Sequence, residues 1–315
     1  MKILVTGAAG SLGSDLINRL MEDRQFDVYA TDIKSDPFEN TINLSYKSLD
    51  CRNEQFIHWV ESIKPEIVIH LASILQISSQ MTREMAYEID VVATKALLET
   101  CVSLKVKKFI ITTSGAVYGY YKENKNIITE QRSPRGNDDY FYSAHKAEVE
   151  KILAEYRFSQ PQLDQLILRP GAILGTGFTG PIVDLFKQKI IVGVLGYPGP
   201  FNFICCSDVV EYLIEGIKCD ITGEYNVAGD GILTMAKIAE KLNKFYLPLP
   251  APLLQLILAI AKPLGLTQYG PEQIKFIQYR PVLANDKIKS HFKHQPQYTS
   301  EQVLDEFLKS HKKVL

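Results

Sequence analysis

Residues 5–13 read Val5-Thr6-Gly7-Ala8-Ala9-Gly10-Ser11-Leu12-Gly13, and this stretch decides the fold. A short apolar run at 2–6 precedes it, and an apolar pattern with helical spacing follows at 11–21. The first predicts a buried strand, the second a helix. Gly7 permits the tight turn between them, Gly10 lets the backbone approach a pyrophosphate, and Gly13 lets the helix pack close to the sheet. A helix that opens at Ser11 and Leu12 turns free N–H groups and a partial positive charge toward that pyrophosphate. Glycines also make ordinary turns, so the strand before and the helix after are what give the pattern its weight.

Working outward, a second strand is expected at 27–31, and Asp32 stands just past it, 19 residues after Gly13. A carboxylate there accepts hydrogen bonds from both ribose hydroxyls and repels a 2′-phosphate, which favours NAD over NADP. Further strands are expected at 66–70, 107–113 and 165–168, with helices at 54–62, 83–104 and 139–156 between them. Strands alternating with helices predict an α/β, Rossmann-like, doubly wound parallel sheet. After Arg169 the pattern changes: Gly and Pro cluster at 171–181 and 193–200. Residues 1–170 therefore read as an NAD-binding Rossmann domain and 171–315 as mainly a smaller C-terminal substrate-binding lobe, interleaved with the first. In that lobe a strand is expected at 223–228, a Thr-capped helix at 234–242 and a Ser-capped helix at 300–308.

Composition excludes several classes. Lys+Arg is 35 against Asp+Glu 36, a net charge of -1, which offers no attraction to nucleic acid or an anionic membrane surface. Five scattered cysteines without a CxxC, and only six histidines, suggest neither a metal site nor a disulfide framework. Reduced thiols and no visible signal peptide point to a cytoplasmic protein. The most apolar stretch, PLLQLILAIA at 252–261, is about half the length that spans a bilayer and reads as a helix packed into the lobe.

The chemistry is carried by Tyr142-Ser143-Ala144-His145-Lys146. On a helix Tyr142 and Lys146 share a face. An ammonium there lowers the pKa of the phenol, which can then move a proton to or from a substrate hydroxyl. Ser114, in the run Thr112-Thr113-Ser114-Gly115-Ala116-Val117-Tyr118-Gly119, follows a strand and faces the crevice at its carboxyl end. It would fix the same substrate oxygen. His145 points about 100° away from the Tyr-Lys face and reads as a surface or packing residue.

TGAAGSLG, Asp32, IHLAS at 69–73, TTSGAVYG at 112–119 and YSAHK at 142–146 stand in the order and spacing of the extended short-chain dehydrogenases/reductases. The chain resembles the NAD-dependent epimerase/dehydratase family, whose best-known member is UDP-glucose 4-epimerase. The resemblance implies NAD as cofactor and hydride transfer at a substrate carbinol, with Ser114, Tyr142 and Lys146 as the catalytic set. It adds cofactor contacts at Asp50 and Cys51, at Leu71, Ala72 and Ser73, and at Pro170 and Gly171, and places Tyr142 and Lys146 at the nicotinamide ribose. It also implies a homodimer formed through the 83–104 and 139–156 helices.

The departures from the family pattern bear on the substrate. Gly115-Ala116 replace the acid-base pair of 4,6-dehydratases, which sets dehydration aside. Ala172 and Asp90 each replace an Asn. Phe201 stands near the expected place of an Arg that grips a diphosphate, while Arg280 lies at a spacing to Asp286 that does not match the family's. Three readings follow. The first is a nucleotide-sugar epimerase or oxidoreductase. The second is an NAD(P)-dependent alcohol dehydrogenase or ketone reductase of a less polar, hydroxysteroid- or flavonol-like substrate, suggested by Phe178, Phe201, Phe203 and the apolar helix. The third is a non-catalytic NAD-binding regulator, against which the intact Ser114, Tyr142 and Lys146 set argues.

Overall fold

Strand β1 (Lys2–Thr6) is the spine of a seven-stranded sheet, and Ile3, Leu4 and Val5 are fully buried in it. The computed structural model describes residues 1–38, 43–77, 81–124, 126–267 and 270–311. β2 (Asp27–Asp32) and β3 (Leu44–Ser48) lie on one side of β1. On the other side run β4 (Ile67–His70), β5 (Lys108–Thr112) and β6 (Asp164–Pro170). The lobe contributes β7 (Ala172–Leu174), β8 (Ile190–Val194), β9 (Phe203–Cys205), β10 (Gly223–Val227) and β11 (Phe245–Leu249).

The order across the main sheet is β3-β2-β1-β4-β5-β6-β10, and every pairing is parallel. A doubly wound sheet binds its ligand where strand order reverses, here at the carboxyl ends of β1 and β4. The strands expected at 2–6, 27–31, 66–70, 107–113, 165–168 and 223–228 all form, within two residues at each end. β3 was outside the reading of apolar runs, and only the resemblance implied a third strand ending near Asp50. Its LSYKS alternates and leaves three of five residues exposed at the sheet edge, so no apolar run announces it.

Helices cover both faces. α1 (Ser11–Met21) buries Leu16, Ile17 and Leu20 against the sheet and α7 (Cys206–Lys218). Burying such side chains stabilises by roughly 1.5–3 kcal/mol each, as an upper bound. α7 sits close on β6 because Gly216 has no side chain: a Cβ there would meet Leu166 Cδ2 at 2.3 Å. The opposite face carries α2 (Glu54–Ile63), α3 (Arg83–Tyr87), α4 (Ala93–Ser103) and α5 (Phe141–Ser159). The helix expected at 83–104 is continuous but widens into a π-turn at Glu88–Val92 between α3 and α4. The 139–156 helix starts later and ends later, at Phe141 and Ser159.

The lobe has its own core around Phe186, Phe201, Phe203 and Phe307. It is built on the pairs β7–β9 and β8–β11 with α6 (Pro181–Lys187), α8 (Met235–Lys241), α9 (Ala251–Ala261), α10 (Lys275–Gln278), α11 (Asp286–His291) and α12 (Ser300–Ser310). Thr234 caps α8 as expected, accepting from the Lys237 amide. The cap of α12 is Thr299, not Ser300: Thr299 and Gln302 form a reciprocal capping box, and the buried Ser300 hydroxyl instead donates to Gly229 O. The apolar helix packs on the lobe as expected, beside Val194 and Ile274, but through one face only. Only Leu254 of α9 is buried, while Leu253, Leu256, Ile257 and Ile260 are exposed. Among the described residues no helix is long and apolar enough to cross a membrane.

Candidate active site

The glycine turn has the geometry its sequence implies. Gly7 adopts φ +69, where a Cβ would meet Ala72 N at 2.6 Å. A Cβ on Gly13 would meet Gly7 O at 2.2 Å, so helix and turn can touch only through glycine. Gly10 is the N-cap of α1 and no side chain caps it, so the N–H groups that begin at Ser11 and Leu12 have no capping side chain. The cradle left without Cβ atoms and the uncapped helix start fit a pyrophosphate.

Asp32 closes β2 beside this turn. Its Oδ2 accepts from Ala9 N at 3.1 Å and its Oδ1 from Lys34 N at 3.1 Å. Lys34 Nζ donates to Ala9 O at 3.3 Å, so an ammonium lies over the glycine turn as well. Asp50 and Cys51 follow β3. The Asp50 carboxylate is gripped by Arg52, at 2.5 Å, which holds it below the usual carboxylate range. Burial pushes the Cys51 thiol up to about 12, so it is an uncharged wall. Leu71, Ala72 and Ser73 leave β4 toward Gly7. Pro170 ends β6. A Cβ on Gly171 would meet Asn202 O at 2.8 Å, which keeps that turn tight.

Ser114 follows β5. Its hydroxyl accepts from Ala116 N at 3.1 Å and hydrogen-bonds Tyr142. Lys146 is buried one turn along α5, its Nζ 5.8 Å from the Tyr142 ring centroid and 3.4 Å from Thr112 O, to which it donates. The three residues thus meet at the carboxyl end of β5. Burial pushes the Tyr142 phenol above its ordinary value, and the Ser114 hydrogen bond pulls it back. Burial lowers the Lys146 pKa, while Asp90 and Glu150 raise it. The downward pull expected of Lys146 on Tyr142 is not found, and desolvation sets the direction.

Two buried networks support this set, and neither was read from the sequence. Glu150, one turn beyond Lys146, receives the guanidinium of Arg169, with Nε at 2.9 and 3.0 Å from its two oxygens. Thr113 Oγ1 donates to Glu150 at 2.6 Å, and Arg169 Nη1 donates to Tyr118 Oη at 2.9 Å. Tyr118 in turn donates to Asn226 Oδ1 on β10 at 2.7 Å. The only signal was the four-residue step from Lys146 to Glu150, which puts both on one helix face. The second network holds His145, which is a packing residue and not a surface one. It is buried, with Nδ1 3.0 Å from Asp90 Oδ2, and the rings of Tyr87 and Phe141 stand edge-on to it at 5.4 Å.

Arg280 stacks on Phe201, the residue near the arginine position that the resemblance implies. Its guanidinium lies 4.0 Å from the Phe201 ring centroid and 5.9 Å from that of Tyr120. Arg280 Nε is buried without a hydrogen-bond partner. Phe201 and Phe203 themselves are fully buried and stacked at 5.6 Å in the lobe core, so they do not line a site for an apolar substrate. The rings nearest Tyr142 are Tyr140, at 6.1 Å, and behind it Phe276, 4.1 Å from Tyr140. Among the described residues no group of three His, Cys, Asp or Glu could hold a metal ion.

A sequence model of the NAD dependent epimerase/dehydratase family matches residues 3–193. The dTDP-D-glucose 4,6-dehydratase of Dictyostelium discoideum is 27% identical over 267 residues, which is 76% of this chain and 61% of the dehydratase. The GDP-6-deoxy-D-talose 4-dehydrogenase of Aggregatibacter actinomycetemcomitans is 28% identical over 226 residues, 68% of this chain and 70% of that enzyme. The fold is that of the Thermus thermophilus UDP-glucose 4-epimerase solved with NAD, with a TM-score of 0.76, 22% identity and 100% of both chains covered.

Proposed function

We propose, from the premise that the chain belongs to the NAD dependent epimerase/dehydratase family, that it is an NAD-dependent epimerase or oxidoreductase of a nucleotide-sugar carbinol. The observation that carries the reading is the meeting of Ser114, Tyr142 and a buried Lys146 beside a glycine cradle that only a flat, unsubstituted backbone can make. NAD bound in that cradle would supply an acceptor and donor of hydride. Gly7, Gly10, Gly13, Ser11 and Leu12 would hold its pyrophosphate, and Asp32 its adenine-side ribose. Ala72 packs where the turn leaves room, Lys146 would hold the second ribose, and Pro170 and Gly171 would border the nicotinamide.

Tyr142 Oη takes the hydroxyl proton as the carbinol is oxidised and returns it on reduction. Ser114 holds the same oxygen through its hydroxyl and fixes the distance. Lys146 supplies a positive charge that favours phenolate once a substrate oxygen replaces lost solvation. Arg280 supports the nucleotide-sugar reading over the apolar-alcohol one. A buried guanidinium nitrogen without a partner, beside the catalytic face, suits a diphosphate by charge-assisted hydrogen bonds. The same reading includes a homodimer through α5 and the helix running from Arg83 to Ser103. It also includes a reducing cytoplasmic setting, which five free cysteines support.

Native mass spectrometry of the freshly purified protein tests the function. Retained NAD and a specific adduct with UDP-glucose support it; an empty chain that ignores nucleotide sugars sinks it. In the same experiment Arg280→Gln is expected to weaken the UDP-glucose adduct about tenfold to a hundredfold while leaving NAD retention unchanged, the loss of one charge-assisted pair. An undiminished adduct would remove Arg280 from the diphosphate site. Sedimentation at micromolar concentration is expected to give a dimer, and a monomer there removes the helix interface.

A further inference from the structure

The buried carboxylate of Asp90 is not explained by the proton-moving set alone. It lies in the π-turn that interrupts the 83–103 helix, and π-turns of this kind tend to occur where a side chain is re-aimed for function. Its Oδ1 accepts from Ser73 Oγ at 2.9 Å and from Ile74 N at 2.9 Å. Its Oδ2 meets His145 Nδ1 at 3.0 Å, and His145 adjoins Lys146 on α5. The backbone takes part too. Asp90 O accepts from Thr94 Oγ1 at 2.7 Å, Thr94 meets His70 Nε2 at 2.9 Å, and His70 Nδ1 lies 2.7 Å from Thr6 Oγ1 on β1. One polar chain thus runs from the strand that carries the glycine turn to the helix that carries Tyr142 and Lys146.

We propose that Asp90 is a charged positioning residue of the catalytic centre: clamped by Ser73, Ile74 and His145, it pins the 71–74 segment against α5 and presents its carboxylate to the helix that carries Lys146. The inference rests on the reading of Tyr142 and Lys146 as the proton-moving pair. An asparagine accepts through one oxygen only, and its amide would turn a donor toward either the Ser73–Ile74 side or His145. A carboxylate accepts on both sides and adds a full negative charge in a buried setting, where charges act strongly.

The charge has a definite direction of effect. Burial removes solvent from Lys146 and favours its neutral form; Asp90 and Glu150 oppose this. The other titratable groups around the cluster are Cys51 after β3, His70 on β4, Tyr120 and Tyr142. His70 does not compete for a proton, because burial and the Lys146 charge lower it to about 3. Cys51 stays a thiol because burial raises it. Glu150 is committed to Arg169. Asp90 is thus the anion whose removal reads out on Lys146 with the fewest compensations.

The test needs no substrate. Lysine side chains are labelled with carbon-13, the Lys146 resonance is assigned by its absence in Lys146→Arg, and its pH titration is followed in the full-length protein. In Asp90→Asn and in Asp90→Ser the midpoint is expected to fall by about one unit, the effect of losing a nearby opposite charge. A midpoint unchanged in a folded neutral variant overturns the proposal. If neither neutral variant folds while Asp90→Glu does, the carboxylate serves the fold and the proposal is likewise overturned. The functional reading fails separately, through turnover that survives loss of the Tyr142 hydroxyl, and that outcome leaves the Lys146 titration untouched.

Discussion

Tyr142→Phe is expected to lower turnover by about two to four powers of ten, the range that general acid–base catalysis contributes, with NAD binding retained. The hydroxyl is the only part of the side chain removed, and it is the atom that Ser114 meets. The ring keeps its place among Tyr140 and the Lys146 ammonium, so the cofactor face of the crevice is not reshaped. Measuring kcat on a nucleotide sugar that the wild type converts, alongside NAD affinity by calorimetry, separates the two effects. Activity within tenfold of wild type would mean that some other group moves the proton. Loss of NAD binding together with activity would mean that Tyr142 holds the cofactor more than it acts on substrate.

The second large effect is on stability. Arg169→Met is expected to destabilise the fold by about 3–5 kcal/mol, the range for breaking a buried ion pair by removing one partner. Arg169 and Glu150 are both almost fully buried. Methionine fills much of the volume but leaves Glu150 with Thr113 alone, and Tyr118 without its donor. Chemical denaturation monitored by the single tryptophan, Trp59, reads this out. The double change Arg169→Met with Glu150→Leu is expected to recover part of the loss, because it removes the stranded charge as well. A loss below about 1 kcal/mol in the single variant would mean that Glu150 finds other partners, and the network would then be no support for Lys146.

Much of the fold was legible in local sequence. β1, β4, β5 and β6 are apolar runs bounded by turn residues, and such runs are what a sheet buried on both faces requires. β3 escaped because an edge strand needs no apolar run, and Leu44–Ser48 has none. The short pair β7–β9 escaped because its strands have three residues each. Within the site, Ser114, Tyr142 and Lys146 were readable because one helix and one strand end carry them. The pairs Asp90–His145, Glu150–Arg169 and Arg280–Phe201 join residues 55, 19 and 79 positions apart. Such pairings depend on how layers pack, and no local period encodes them. His145 shows the difference well. Its angle on the helix did turn it from Tyr142, but what it turned toward was a carboxylate on another helix. α9 shows the converse, since an apolar sequence tells that burial is favourable and not that the chain itself supplies the cover.

The seventh strand has a consequence for how the molecule comes to exist. β10 is made after residue 220, yet it seals the edge of β6, and α7 covers the apolar face of α1. A nascent chain that has emerged only through residue 170 has an unpaired edge on β6 and lacks the α7 cover of α1. Those are the surfaces by which growing chains stick to one another. Residues 1–170 therefore lack cover that the later chain supplies. The sheet is complete only once the chain through Val227 has been made.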